Sequence, residues 1–217
     1  MSSIDLQLGT SEKLSLIRWI RLIFFFSGFS ALLYQVVWQR ALFTIYGTNV
    51  QSVAMVVTAF LLGLGLGSLA GGELSRIHRW PVLLLFAIIE SAIGIFGLLS
   101  LSLFRLVGSL TLSMSALAAG VTTLFLVLIP TLLMGATLPL LVEHEVRSIG
   151  NVGQSVATLY FINTLGSSAA AFIASFAMLR ILGQQKTIWL ASGVNLSVGL
   201  TGFVFVLAMR KRACVSG

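Results

Sequence analysis

Glu90 follows eight uninterrupted apolar residues, Val82–Ile89, and is the one acid that falls inside a long apolar run. An ionisable group at such depth in a membrane costs about 2.5–3.5 kcal/mol on insertion scales, so its retention points to a purpose. The chemistry open to it is proton or cation binding. The structural alternative is a hydrogen bond, or a basic partner, that ties helices together. Gln35, Asn163 and Asn195 are the other strong polar groups in apolar surroundings. Asn163 and Glu90 lie at similar depth counted from the same end, which allows a hydrogen bond between them. Gln35 sits about a turn from Gln39 and Arg40.

Other chemistry is poorly served. Glu143, His144 and Glu145 are adjacent, so on a helix they fan out and cannot clasp one metal. Glu143 and Arg147 have the spacing of a helical ion pair. The string Gly65, Gly67, Ala70 reads formally as G-x-G-x-x-A, with Glu90 about twenty residues on as a dinucleotide fingerprint wants. No strand precedes it and no strand-to-helix turn holds it, so the fingerprint reading fails. There is no Ser/His/Asp set and no pair of catalytic carboxylates, so neither a catalytic residue nor a metal or other cofactor is expected.

The elements that carry these residues follow from composition. Of 217 residues, 58% are hydrophobic and 9% charged, and mean hydropathy is +1.05. A soluble domain cannot cover that much apolar surface. The apolar runs are continuous and of roughly twenty residues, which is the length of a membrane-crossing helix and not the alternation of a barrel strand. The expected fold is an all-α polytopic membrane bundle of six spans, near 22–42, 52–71, 81–104, 119–141, 155–179 and 187–209. Residues 1–17 read as a cytosolic tail and 210–217 as a basic tail, with one membrane domain between them. The stretch 106–118, rich in Ser and Gly, reads as a loop or interfacial segment. Two short spans within 106–142 would make seven. Nine of the thirteen Lys and Arg fall on one side of a six-span topology; Arg40, Arg105, Arg180 and Lys186 fall on the other. That bias places both termini in the cytosol, in a bacterial inner membrane. The net charge of +7 flanks spans and forms no basic surface with interleaved aromatics, so nucleic acid is not an expected partner. The lone cysteine, Cys214, cannot make an internal disulfide.

Two spans carry small residues four apart: Gly63, Gly67 and Gly71 in the second, and Gly166, Ala170 and Ala174 in the fifth. In lipid, such residues let backbones approach and gain contact. They serve either packing within the bundle or an interface with another subunit or a second copy. Pro130 and Pro139, with Gly135 between them, are expected to break or kink the fourth span.

Four segments carry a resemblance: GFSALLYQVVWQR (Gly28–Arg40), TAFLLGLGLGSLAGG (Thr58–Gly72), PTLLMGATLPLL (Pro130–Leu141) and YFINTLG (Tyr160–Gly166). In this order they resemble the membrane region of the fused spermidine synthases, itself distantly similar to half of a major-facilitator transporter. The segment Gly72–Trp80 resembles a degraded form of the basic loop those transporters carry. In that family a Rossmann-type aminopropyltransferase domain follows the membrane region. These 217 residues hold no counterpart of it, so aminopropyl transfer does not carry over. Many members also have Glu where this chain has Gln35. The resemblance and the packing faces together lead to the expectation of a non-catalytic membrane subunit. It would pack against partner membrane helices or a separately encoded soluble synthase. The second expectation is a transporter-like protein for polyamines or other small cations, working as a dimer.

Overall fold

The computed structural model describes residues 10–47, 49–76, 81–111 and 113–215, with side chains described between 15 and 208 except around the turns at 46–52, 77–80, 112 and 116–117. His78 and Arg79 of the basic loop lie outside the described residues. So do the side chains of Lys13, Arg210, Lys211, Arg212 and Cys214. Every regular element described is helical. The six long helices are α1 (Thr10–Tyr46), α2 (Asn49–Arg76), α3 (Val82–Thr111), α4 (Ala116–Ile149), α5 (Val152–Ile173) and α6 (Gly183–Val215). A π-helical turn, Ala174–Met178, and a last α-turn, Leu179–Ile181, prolong α5. All six are long and apolar enough to cross a membrane, with apolar segments of 24 to 32 residues. At 1.5 Å per residue the shortest reaches about 36 Å, which exceeds a hydrocarbon core of about 30 Å.

The connections are shorter than the sequence implies, because the helices overrun the apolar spans. Gly150 adopts φ 78°, the left-handed conformation that suits glycine, and its N–H bonds Val146 O at 2.7 Å. Asn151 then caps α5 by accepting from Gln154 N at 3.0 Å. The polar segment 143–154 is therefore helix, cap, helix. Of the stretch expected as a loop, 106–111 and 116–118 are helix: α3 continues to Thr111 and α4 begins at Ala116. Its hydroxyls do not break the helix. Ser109 and Thr111 bond back to Leu106 O and Val107 O, both at 2.8 Å. Gly108 is a packing position against Ile45. The seven-span alternative fails with this correction. Pro130 and Pro139 do not interrupt α4, which runs as one helix through both. At the ends, α1 already begins at Thr10 and α6 extends to Val215, so much of both expected tails is helix.

Helices far apart in sequence make the main pairings: α2 with α4, α3 with α6, and α1 with α5, followed by α3 with α4 and α1 with α6. Exchanging the first three helices for the last three leaves this scheme unchanged. The small-residue stripes form two of these seams. Gly63 faces Thr131, Gly67 faces Leu132 and Gly135, and Gly71 faces Ala136, all on α4. Gly166 lies on Phe25 and Phe29 of α1, and the buried Ala170 and Ala174 continue that line. At Gly67, Gly71 and Gly166 the nearest neighbour is a backbone carbonyl oxygen of the opposing helix. That is the geometry of close backbone approach with Cα–H···O contact. Hydroxyls reinforce both seams: Thr131 Oγ1 donates to Ala59 O at 3.1 Å, and Ser167 Oγ to Gly28 O at 3.0 Å. These residues face inward. All six are buried against helices of the same chain, which fits the reading of packing within the bundle.

Candidate functional site

A polar stripe runs down one face of α1. Ser27, Ser30, Tyr34 and Trp38 follow a spacing of three, four and four, so they stack along one side of the helix over about 16 Å. All four are buried, and each meets a buried polar side chain on another helix. The Ser27 hydroxyl donates to Glu90 Oε1 on α3 at 2.5 Å. Ser30 donates to Asn195 Oδ1 on α6, and its oxygen also lies near the carbonyls of Phe26 and Ser27. Tyr34 donates to Ser192 Oγ on α6 at 3.2 Å. The Trp38 indole N–H donates to Ser100 Oγ on α3 at 3.0 Å, and Ser100 passes its own proton to Gly97 O at 2.8 Å. Gly97 lacks the Cβ that would collide with Tyr34 and Ser192, so α3 can close over that pair.

This ladder ties α1, α3 and α6 through hydrogen bonds between buried side chains. Polar groups in hydrocarbon demand such partners. One atom departs from the rule. Glu90 is fully buried, yet its Oε2 has no hydrogen-bond partner among the described residues. Glu90 is thus both a rung of the ladder and its one incompletely satisfied group.

The ladder absorbs only part of what the sequence singled out. Glu90 and Asn195 join it. Asn163 does not: its amide donates to Phe24 O at 3.3 Å across the α1–α5 seam, so the Glu90–Asn163 bond is not made. Both residues reach α1, from different neighbours. Gln35 is half-buried, one position off the stripe. Ser27, Ser30, Tyr34, Trp38, Ser100 and Ser192 are ladder positions that sequence reasoning passed over. The four on α1 carried a helical-period signal around and within the Gly28–Arg40 motif. Their partners carried none.

A second cluster lies where the start of α1 meets the end of α4. Arg21 Nη2 bonds Glu145 Oε1 at 2.6 Å, with the Glu145 side chain 1% exposed and Arg21 29%. Beside it, Arg147 Nε meets Glu143 Oε1 at 2.9 Å, the pair that the spacing anticipated. Removing one partner of a buried pair strands the other charge, which costs about 3–5 kcal/mol when both are sealed. Arg21 is partly exposed, so Arg21→Ala should cost about 2–3 kcal/mol. Arg21→Ala/Glu145→Leu should recover most of that loss. Equilibrium unfolding in detergent checks both, and a double variant no better than the single one would remove the stranded-charge account.

Comparison with known proteins gives one distant relative. Over 163 residues the chain is 28% identical to polyamine aminopropyltransferase 1 of Streptomyces coelicolor. The match covers 74% of this chain and 29% of that protein. The chain thus spans under a third of its relative's length. No protein-family model matches, and no solved structure matches.

Proposed function

We propose that the chain is a non-catalytic integral membrane module that holds polyamine aminopropyl transfer at the membrane. The observation that carries this reading is the extent of the match. The described residues are membrane-length helix almost throughout, so the 163 matched residues are drawn from a helical bundle. The match takes in 29% of the aminopropyltransferase, so most of that protein's length lies outside the shared part. The transferase active site is then expected outside these 217 residues, on a soluble domain at the end bearing the Arg21–Glu145 pair. The excess of Lys and Arg at that end supports a cytosolic placement of both termini, in a bacterial inner membrane. Sealed hydrogen bonding between α1, α3 and α6 suits a rigid support.

Removing residues 10–215 from the native gene tests the proposal. Aminopropyltransferase activity should move from the membrane fraction to the soluble fraction. Activity that stays membrane-bound in the same amount, or that was never membrane-bound, overturns it.

One observation favours a second reading, a transporter-like protein for polyamines or other small cations. The unpartnered Oε2 of Glu90 is the group a buried cation or proton would use. Six helices of this arrangement would form a pathway with a second copy. In proteoliposomes, polyamine flux should fall at least tenfold in Glu90→Gln, which keeps an acceptor for Ser27. Equal flux in both proteins, or none in either, removes the reading.

A further inference from the structure

Two clefts flank the C-terminal end of α1. One, of about 230 Å³, is bounded by Gln39, Arg40, Val36, Phe43 and Leu179. The other, also about 230 Å³, sets Arg105, Gln184, Gln185 and Thr44 beside Ile45 and Leu101. Each offers one guanidinium and at least one side-chain amide above an apolar wall. The clefts bring the end of α1 together with the ends of α3 and α5 and the start of α6.

The charge at this end of the bundle has a particular composition. Segments 40–52, 105–118 and 179–186 contain Arg40, Arg105, Arg180 and Lys186 and no Asp or Glu. The opposite end holds nine basic residues against five acids: Asp5, Glu12, Glu73, Glu143 and Glu145. Three of those acids are ion-paired, with Arg76, Arg147 and Arg21. The excess of positive charge is therefore four at each end, but only one end has carboxylates to share it. At the acid-free end the counter-charge has to come from outside the chain.

We propose that this acid-free end binds anionic phospholipid, with a headgroup phosphate held at each cleft and an acyl chain on its apolar wall. Guanidinium and phosphate match in charge and in bidentate geometry. The side-chain amides of Gln39, Gln184 and Gln185 supply further donors. Val36 and Leu101 lie on the membrane side of the two arginines along their helices, where acyl carbon meets headgroup. An amphiphile satisfies both halves of such a cleft, whereas a free anion satisfies one. Four uncompensated cations select a lipid with net negative charge over a zwitterionic one that also bears phosphate.

The full chain, purified in a neutral detergent and titrated with phosphatidylglycerol, phosphatidylcholine or inorganic phosphate, tests this by its melting temperature. Phosphatidylglycerol should raise it at concentrations where the other two do not. Arg40→Gln and Arg105→Gln should each raise the half-saturating phosphatidylglycerol concentration about fivefold, the weight of one basic residue at an anionic surface. Arg76→Gln, at the opposite end, should leave it unchanged. Should Arg105→Gln fail to fold, Lys186→Gln carries the same test from an exposed position. Equal response to the two lipids overturns the proposal, and so does an Arg76→Gln effect as large as that of Arg105→Gln. A full response to inorganic phosphate alone also overturns it and makes the ligand a soluble anion.

Discussion

Gly67→Leu is expected to yield no natively folded bundle, while Gly65→Leu, two residues away, folds as the native protein does. A Cβ at Gly67 would run into Leu132 O, with the carbonyl carbon of Leu132 and Gly135 Cα just behind. These are backbone atoms, so no rotamer change relieves the collision and α2 must leave α4. At Gly65 nothing lies within 4 Å, and the position faces outward. Gly67→Ala is the graded case. Overpacking costs about 1–3 kcal/mol, against a helix-propensity gain of about 1 kcal/mol, and the unyielding neighbours place it at the costly end. Gly166→Leu should fail like Gly67→Leu, because Phe25 O occupies the equivalent place on the other seam. Size-exclusion profiles and thermal unfolding in detergent read all four. A monodisperse Gly67→Leu protein of native stability would show that the α2–α4 seam is looser than described.

Trp38→Ala should cost about 3 kcal/mol of stability, the low end of the range for a buried Trp. The indole is fully buried and central. It stacks on Tyr34 at 5.1 Å and meets Phe60 of α2 and Phe96 and Phe104 of α3 at 5.8 to 5.9 Å. In a bilayer the lost transfer from water matters little, since the unfolded helices also face hydrocarbon. What remains is the cavity and the contacts that its walls forfeit. Trp38→Phe keeps most of the ring and loses the N–H bond. Ser100 still has Gly97 O for its proton, so that change should cost only about 1 kcal/mol. Unfolding free energies from denaturant titration decide the matter, and similar losses for the two variants would mean that the hydrogen bond outweighs the packing.

The number of spans was legible because a bilayer imposes one length on every apolar run. The break between the third and fourth was misplaced because Ser and Gly in 106–111 carry a loop composition. In a membrane helix those hydroxyls bond their own preceding turn and Gly108 admits Ile45. The glycines of α2 were legible as a packing face, but a face does not name its neighbour. That required knowing that α4 lies against α2. The ladder has the same limit. Ser27, Ser30, Tyr34 and Trp38 sit on a helical period, yet their partners lie 62 to 165 positions away. Equal depth brought Glu90 and Asn163 to notice together, and depth says nothing about which side of α1 each approaches.

The crosswise pairing has a consequence for how the protein is made. Among the described residues α2 and α3 hardly touch, although they are consecutive, while α2 pairs with α4 and α1 with α5. As the first three helices leave the ribosome, none has its main partner. Gly63, Gly67 and Gly71 then face lipid until α4 is inserted, and Glu90 has Ser27 while Asn195 is still untranslated. The nascent chain must therefore be shielded as a half-built, loosely associated trio. Its final assembly waits on the last helix, because only α6 completes the face of α1 that the ladder occupies.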